Sequence, residues 1–381
     1  MRRVVTIIIS LTLMMLLSAC GNIPQIRAEQ RLFLNLSLEF LGEYQLPKQT
    51  FEGTTVGGLS AITYDRQRDR FYTLSDDHSE KAPARFYTFK LKLAKENNPK
   101  IEGITLEKVT FLKTETGETY SPQTIDPEGI ALSPRGTVFI SSEGVPKKDV
   151  DPFIGEFELT TGQLQQTLPL PQRYLLGKQP DGSPRGVQDN LGFEALTLSA
   201  TSILKDDPFR LFTATESSLI QDTAENLPDQ IPVRLLHYVI SNIGAPVVVS
   251  EHLYLLDPPV KGTVANGLSE LIALPQEGYW LSLERTFGVF GYGAKLFQVV
   301  NSNASDTSSQ VSLKGDLKGV SGLKKQLLLD LQSLNLELDN LEGMTLGPRL
   351  PDGQDTLILI SDDNFSQTQV TQLLVFAIKK P

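Results

Sequence analysis

The sequence predicts an all-β fold, a β-propeller of four-stranded blades, and three observations support this prediction. One pattern occurs five times: an apolar alternation that opens on an acid in four copies, a loop, and an apolar strand that ends in an acid. The five openings, at residues 60, 128, 194, 270 and 342, lie 66 to 76 residues apart, and such a period is typical of repeat architectures. A spare strand precedes the first repeat and is available to complete the last one.

The first two strands of every blade come directly from this pattern. They are predicted at residues 60–64 with 72–76, 128–132 with 139–143, 194–198 with 212–216, 270–274 with 280–284, and 340–346 with 358–363. Third strands follow at 86–89, 154–157, 235–238, 295–298 and 373–376, and fourth strands at about 106–112, 164–170, 247–255 and 326–331. All are short and rich in β-branched or aromatic residues, with Gly, Pro, Asn and Asp between them, as strands of a sheet are.

The fifth repeat ends after its third strand, and residues 36–46 have no repeat of their own. We therefore expect this N-terminal strand to close the ring, which protects both terminal sheet edges. The repeat count gives five blades, and a sixth stays open if a long insertion hides a degenerate blade. Residues 301–321, rich in Asn, Ser and Gly, are predicted to be a solvated excursion. Residues 36–381 would then form one propeller domain.

The N-terminus is predicted to be an export signal. Arg2 and Arg3 precede an apolar run over 4–17, which is shorter than the ~20 residues that a membrane span needs. Leu17-Ser18-Ala19-Cys20 resembles the lipobox of bacterial lipoproteins. Residues 1–19 would be the lipoprotein signal peptide and 20–35 the tether, with lipid on Cys20; an ordinary secretory signal with an incidental cysteine is the alternative. We expect an exported lipoprotein, anchored to a membrane on its periplasmic or cell-surface side.

Charge and cysteine usage exclude several classes of function. The formal net charge is −10, and it becomes −12 once the leader with its two arginines is removed, so a basic nucleic-acid-binding surface is not expected. Cys20 is the single cysteine, which excludes a disulfide framework, a cysteine metal site and a cysteine nucleophile. We expect a monomer that contacts the membrane only through its lipid.

The acids of the repeated pattern are the candidate functional residues. The start of an inner strand and the end of the next strand meet at the same end of a propeller channel, so these acids are predicted to converge there. The first set is Ser60, Glu128, Glu194, Glu270 and Glu342, and the second is Asp76, Glu143, Glu216, Glu284 and Asp362. Asp77 and Asp363 extend the second set, and Ser60 is the one residue of the ten positions in the two sets that is not an acid.

Like charges around a channel raise one another's pKa values and cost stability unless something neutralises them. A hard cation with oxygen ligands is the natural neutraliser, and Ca²⁺ accepts six to eight such ligands in irregular geometry. The predicted metal ligands are Asp76, Glu128, Glu194, Glu270, Glu284, Glu342, Asp362 and Asp363. Arg285, Lys81 or Arg185 could supply part of the counter-charge instead.

Other catalytic signatures are missing from the sequence. It contains no Gly-x-Ser-x-Gly elbow, no His-x-x-x-His pair and no Asp-x-Asp-x-Asp-Gly calcium loop. Any calcium would therefore be held by residues from different blades. Of the three histidines, His78 follows the acids at 76 and 77 and is the candidate for a functional role.

The motifs Asp126-Pro127-Glu128-Gly129, Gly192-Phe193-Glu194 and Asn340-Leu341-Glu342-Gly343, with Gly58-Leu59-Ser60 and the Ser-Asp-Asp and Ser-Glu-Gly strand ends, resemble the phytase-like family with esterase-like activity. The resemblance covers about residues 38–378. It implies an exported bacterial propeller related to the β-propeller phytases, which use calcium in an acidic channel-end site to hold phosphate and activate water.

Two functions from different classes follow from these observations. In the first, metal-assisted hydrolysis of a phosphate or carboxylate ester occurs at the acidic site, with Glu143 or Glu216 as general base and His78 as a further catalytic candidate. The scarcity of Lys and Arg in the repeats argues against phytate itself. In the second, a non-catalytic binding or assembly lipoprotein uses the acids as a structural calcium site. The sequence leaves the choice open.

Overall fold

Five antiparallel four-stranded sheets form the five blades of a β-propeller. The computed structural model describes residues 32–93, 101–200, 204, 206–223, 230–315 and 317–380. The predicted signal peptide, Cys20 and most of the tether lie outside the described residues. Five blades are confirmed, and no sixth sheet of four strands occurs among the residues described.

Blades 1 to 3 each take four consecutive strands, from the channel outwards. Blade 1 contains β4 (Ala61–Asp65), β5 (Arg70–Ser75), β6 (Arg85–Leu93) and β7 (Ile101–Phe111). Blade 2 contains β8 (Pro127–Leu132), β9 (Thr137–Ser142), β10 (Phe153–Glu158) and β11 (Leu164–Thr167). Blade 3 contains β14 (Phe193–Ala200), β15 (Phe209–Thr215), β16 (Pro232–Ile240) and β17 (Val247–Leu255).

Blades 4 and 5 complete the ring. Blade 4 contains β18 (Thr263–Ala273), β19 (Tyr279–Gly288), β20 (Gly291–Val300) and β21 (Lys324–Asp330). Blade 5 contains β22 (Asn340–Leu346), β23 (Asp355–Asp362), β24 (Thr371–Lys379) and, as its outer strand, β1 (Ser37–Leu46). The predicted closure by the N-terminal strand is confirmed.

The remaining elements are small. Two hairpins pair β2 (Gln49–Phe51) with β3 (Thr54–Val56) and β12 (Gly177–Lys178) with β13 (Pro184–Arg185). The 3₁₀ turns lie at Pro146–Lys148, Gln172–Tyr174, Ile220–Asp222 and Leu331–Leu334. No helix of the described part is long and apolar enough to cross a membrane.

The core lies in layers between neighbouring blades, because each sheet buries both of its faces against the next. Phe212 of blade 3 and Trp280 of blade 4 meet edge to face, with ring centroids 5.0 Å apart. Leu41 and Leu46 of β1 are buried in the layer between blades 5 and 1. Large buried aromatic side chains of this kind contribute most of the hydrophobic stabilisation.

The excursion at 301–321 is mostly exposed, as predicted, but two buried residues anchor it to blade 3. Thr307 is fully buried, and the Leu313 amide donates to Asp222 Oδ1 at 2.7 Å. Asp222 also pairs with the buried Arg234, whose guanidinium reaches Glu251. A buried ion network tolerates no missing member, so it fixes the excursion on blade 3 although its composition is that of a loop.

Removal of β1 should destabilise the whole ring. A chain that begins at Pro47 loses the two buried leucines and leaves the β24 edge unpaired, so we expect its unfolding free energy to fall by at least about 3 kcal/mol, with a tendency to aggregate. A chain that begins at Asn35 is the control and should unfold at the same urea concentration as one that begins at Gly21. Equal stability of the chains from Pro47 and Asn35 would contradict the closure.

Candidate functional site

A β-bulge at the start of the inner strand decides which side chains face the channel in blades 2 to 5. The pairing skips Glu128 in β8, Glu194 in β14, Ser269 in β18 and Glu342 in β22. Ser60 directly precedes β4 and takes the corresponding place in blade 1. Because bulges re-aim a side chain, these five residues form the first set at the channel end.

The second set lies on the neighbouring strands. In each blade the residue after the bulge pairs with a residue of the second strand, and the second-set member follows two positions later. The members are Asp76, Glu143, Glu216, Arg285 and Asp362. Four blades therefore contribute an acid at this position, and blade 4 contributes an arginine.

The structure corrects the predicted placement of two acids in blade 4. Glu270 pairs with Leu283, so the two sets in this blade contain Ser269 and Arg285, one residue away from the predicted Glu270 and Glu284. A shift of one residue along a strand turns the side chain to the other face. Glu284 consequently leaves the channel and lies between blades 3 and 4.

Glu284 is satisfied where it lies. Its carboxylate accepts the Tyr254 hydroxyl at 2.6 Å and the Asp257 amide at 2.8 Å, and it pairs with Lys325. Because these contacts hold Glu284 between the blades, it is not a member of the channel-end site.

Glu270 closes the channel below that site. Its carboxyl group accepts the amides of Leu271 at 2.9 Å and Leu196 at 3.1 Å, and also that of Met344. Burial raises the pKa of Glu270 well above its usual range, while these backbone hydrogen bonds lower it. The corresponding positions of the other blades carry Ala61, Gly129, Ala195 and Gly343, which leave room for one long side chain on the axis.

Eight carboxyl groups converge at the open end of the channel, and we call them the acidic cluster. Burial comes first among the causes that raise the pKa of each one, and the charges of neighbouring members add to most of these shifts. The members are Asp76, Asp126, Glu128, Glu143, Glu194, Glu216, Glu342 and Asp362. Burial brings the pKa of Glu342 to about 8 and that of Asp362 to about 7.

Arg285 is the cation inside the acidic cluster. Its Nη2 lies 2.8 Å from Glu216 Oε1, 3.5 Å from Glu342 Oε1 and 3.7 Å from Glu194 Oε1. Its Nη1 donates to Asn340 Oδ1 at 2.9 Å, and Asn340 in turn donates to Glu342 at 2.7 Å. Arg285 therefore supplies the internal counter-charge that the sequence suggested.

The other two suggested cations are engaged elsewhere. Lys81 lies over the Phe365 ring, 5.0 Å from its centroid, and Arg185 donates to the Leu175 carbonyl at 3.4 Å.

Three glutamates form the tightest part of the acidic cluster. One carboxylate oxygen from each of Glu143, Glu194 and Glu216 lies within 4.8 Å of the others. Glu143 Oε1 and Glu194 Oε2 are buried without a hydrogen-bond partner. Unpartnered buried oxygens are costly, so this group is suited to binding a cation.

His78 lies at the edge of the acidic cluster. Its Nε2 is 2.6 Å from Asp126 Oδ1, and its side chain is 34% exposed. The hydrogen bond to Asp126 raises the pKa of His78, and burial opposes that shift. Asp126 and Asn340 were not predicted as site residues, although each stands two residues before a first-set glutamate.

The two acids that were expected to extend the second set have other partners. Asp363 accepts the amides of Gly58 at 2.9 Å and Phe365 at 3.0 Å and pairs with Lys48. Asp77 pairs with the buried Arg85 at 2.8 Å. Asp363, a predicted metal ligand, is thus committed to holding loops together.

Glycine makes room for the acidic cluster. A Cβ atom on Gly267 would lie 2.1 Å from Glu216 Oε1, so any side chain there would displace that carboxylate. Gly58, with φ +61°, similarly faces Asp76 Oδ1 at 2.1 Å. At both positions the backbone approaches a carboxylate too closely to carry a side chain.

A protein-family model described as "Phytase-like: Esterase-like activity of phytase" matches residues 54–365. The chain belongs to the phytase-like family. The match confirms the resemblance found in the sequence. The description of the family supports a hydrolase-type propeller. A search of curated proteins finds no match.

Similar solved structures include two glycosidases. The endo-arabinase from Bacteroides thetaiotaomicron is 11% identical, with a TM-score of 0.40, over 86% of this phytase-like chain and 95% of that chain. The GH62 α-L-arabinofuranosidase from Coprinopsis cinerea is 10% identical, with a TM-score of 0.40, over 88% of this chain and 95% of that chain. Likenesses this distant carry no argument about function.

Without bound cations, the stability of the phytase-like chain should fall as the pH rises from 5 to 8.5. The pKa of Glu342 is raised from 4.5 to about 8, so the folded state keeps a proton that the unfolded state releases above pH ~4.5. The contribution of Glu342 to the free energy of unfolding is fully present below pH ~4.5 and is lost as the pH rises through about 8. We expect a loss of about 3 kcal/mol across the acidic cluster, measured by urea unfolding in EDTA. Glu342→Gln should flatten the profile, and stability that rises over this range would contradict the assignment.

Replacement of Arg285 should cost stability in EDTA. Arg285→Gln removes the counter-charge from three buried carboxylates, so we expect a loss of about 3 kcal/mol at pH 7. Added Ca²⁺ should restore more stability to this variant than to the native chain. The matched control is Arg349→Gln, which removes an exposed pair with Asp355 and should change stability by under ~0.5 kcal/mol. Equal losses in both variants would argue against the role of Arg285.

Proposed function

We propose that this protein is a metal-dependent hydrolase of a phosphate or carboxylate ester, with its site at the acidic cluster. The observation that carries the proposal is the group formed by Glu143, Glu194 and Glu216, where two buried carboxylate oxygens have no partner. Family membership supports ester hydrolysis as the reaction class. The family and the site together point to the same chemistry.

The residues of this group fit a divalent cation, and calcium in particular. They offer carboxylate oxygens from blades 2 and 3, the ligand type that Ca²⁺ prefers, and water can complete its coordination. Glu128, Glu342, Asp76 and Asp362 extend the donor set within the same acidic cluster. A bound cation would polarise substrate oxygens and lower the pKa of a coordinated water.

The protein's own residues would position the substrate and move protons. Since Glu143 and Glu216 belong to the same tight group, the geometry favours them as ligands over the general-base role that the sequence suggested. His78 is partly exposed, and its Nε2 is hydrogen-bonded to Asp126 Oδ1. We therefore assign His78 the transfer of a proton to or from the substrate. Arg285 would orient anionic oxygens while it neutralises part of the acidic cluster.

Glu270 blocks the channel below the acidic cluster, so the substrate reaches it from the open end. We also propose an exported, lipid-anchored monomer, on the periplasmic or cell-surface side, that acts on a small soluble ester and binds no nucleic acid.

A non-catalytic binding lipoprotein is the second candidate, and Arg285 favours it. An arginine within reach of three carboxylates already neutralises part of the acidic cluster. A structural calcium site would need no open coordination position. Turnover therefore decides between the two functions.

Removal of carboxylates from the tight group should abolish turnover without unfolding the chain. The chain from residue 21 is assayed with p-nitrophenyl phosphate and p-nitrophenyl acetate, with Ca²⁺ and with EDTA. We expect activity that EDTA removes, and a loss of at least about 100-fold in kcat for Glu143→Gln with Glu216→Gln.

The matched control is Glu270→Gln, an equally buried channel acid outside the acidic cluster, which should retain activity. Bound metal is measured by elemental analysis, and folding by thermal melting. Absence of turnover under every metal and ester, in a folded protein that binds Ca²⁺, would reject the enzyme in favour of the binding lipoprotein.

A further inference from the structure

A groove of about 600 Å³ opens between blades 4 and 5, beside the acidic cluster. Its walls include Gln45, Phe290, Tyr292, Gln332, Asp339 and Gln369. Three of these side chains are amides and two are aromatic. Among the described residues, no lysine, arginine or histidine lines the groove. Its chemistry thus differs from that of the acidic cluster.

Hydrogen bonds join the groove to the acidic cluster. Gln369 Nε2 donates to the Tyr292 hydroxyl at 3.1 Å and to Asp339 Oδ1 at 3.0 Å. The next residue, Asn340, bonds to both Glu342 and Arg285. The groove wall is therefore joined to the acidic cluster through the adjacent residues Asp339 and Asn340.

The aromatic wall is preorganised. Gly288 pairs with Gly291, so Val289 and Phe290 form the two-residue turn between β19 and β20. Phe290 is 84% exposed at this turn. Tyr292 packs on Phe287 with ring centroids 4.7 Å apart. The paired rings of Tyr292 and Phe287 therefore lose little conformational entropy on binding, and Phe290 stands exposed beside them at the mouth of the groove.

We propose that the groove binds a neutral polyhydroxylated ring, such as a sugar, and that the ester cleaved at the acidic cluster is carried by this ring. Aromatic faces pack against the apolar C–H face of a sugar, and amide and carboxylate groups hydrogen-bond to its hydroxyls in both directions. The second part of the proposal rests on the proposed function; binding of the ring does not.

The lining excludes polyanions such as inositol phosphates. Phosphate groups need arginine, lysine or backbone amides, and this groove offers Glu337 and Asp339 instead. Asp339 already accepts from Gln369, from the Val370 amide at 2.6 Å and from the Asn340 amide at 2.8 Å. It fixes the wall in place and would repel an anion. A neutral ligand meets no such penalty.

Binding is tested on the chain from residue 21 by saturation-transfer NMR and calorimetry. The probes are maltose and myo-inositol as neutral ligands and myo-inositol hexakisphosphate as the polyanion, each in Ca²⁺ and in EDTA. We expect maltose or myo-inositol to bind in both media and the hexakisphosphate not to bind in EDTA. Absence of binding by both neutral probes, or a preference for the hexakisphosphate in EDTA, would overturn the proposal.

Variants locate the binding site. Phe290→Ala and Gln332→Ala alter exposed side chains of the groove and should each weaken binding about five- to tenfold, at an unchanged melting temperature. Val289→Ala is the matched control, since Val289 is 73% exposed on the same turn but does not line the groove. Equal effects of Phe290→Ala and Val289→Ala would overturn the assignment of the site.

Activity separates this proposal from the proposed function. Glucose 6-acetate and p-nitrophenyl acetate are compared as substrates, and Phe290→Ala should lower kcat/KM for the sugar ester through KM while it spares the phenyl ester. Turnover without sugar binding would remove the groove proposal and leave the hydrolase. Sugar binding without turnover of any ester would support the groove as a binding site and reject the hydrolase.

Discussion

The crowding of eight carboxyl groups, six of them buried, at one end of a narrow channel is the constraint on which the other features depend. Burial raises their pKa values, and in water-poor surroundings no two neighbours can both be charged without compensation. The chain compensates locally with Arg285, whose Nη2 lies 2.8 to 3.7 Å from three of these carboxylates. This compensation is incomplete, because Glu143 and Glu194 keep unpartnered oxygens. A site that is held together yet not neutralised is one that favours a cation.

The geometry of the inner strands explains why the acidic cluster lies only at the end of the channel and does not extend along its axis. One residue beyond each first-set position the five strands approach most closely, and four of them have alanine or glycine there. At Gly129 an added Cβ would lie 2.5 Å from the Glu194 carbonyl oxygen. Blade 4 alone has a long side chain, Glu270, which fills the axis and binds amides of two other blades. Glu270 thereby closes the channel, and the acidic cluster lies on its open side.

Most of the fold was predictable from the sequence, and part of the site was not. Strand alternation, turn residues and the repeat period identified every blade and the closing role of β1, because these patterns are local. The site depends on β-bulges, which shift the register by one residue without changing the alternation. The acids at 270 and 284 continue the pattern of the other repeats, yet the structure places Ser269 and Arg285 at the channel end. The contact of Asp126 with His78 joins two blades, and such contacts leave no local signal.

The departures from five-fold repetition are concentrated in blade 4. That blade supplies the cation of the acidic cluster, the side chain that closes the channel and, through its long β19 and β20, the aromatic wall of the groove. A ring of five equivalent acids would present the same charge to a ligand from every side of the channel. Replacement of one acid by Arg285 gives the cluster a positive side, and the groove lies on that same side, next to Asn340. Arg285 therefore lies between Asn340 and the two carboxylates of blade 3, Glu194 and Glu216. In the proposed hydrolase, this position would let Arg285 orient the anionic oxygens of an ester that is bound at the tight group of glutamates.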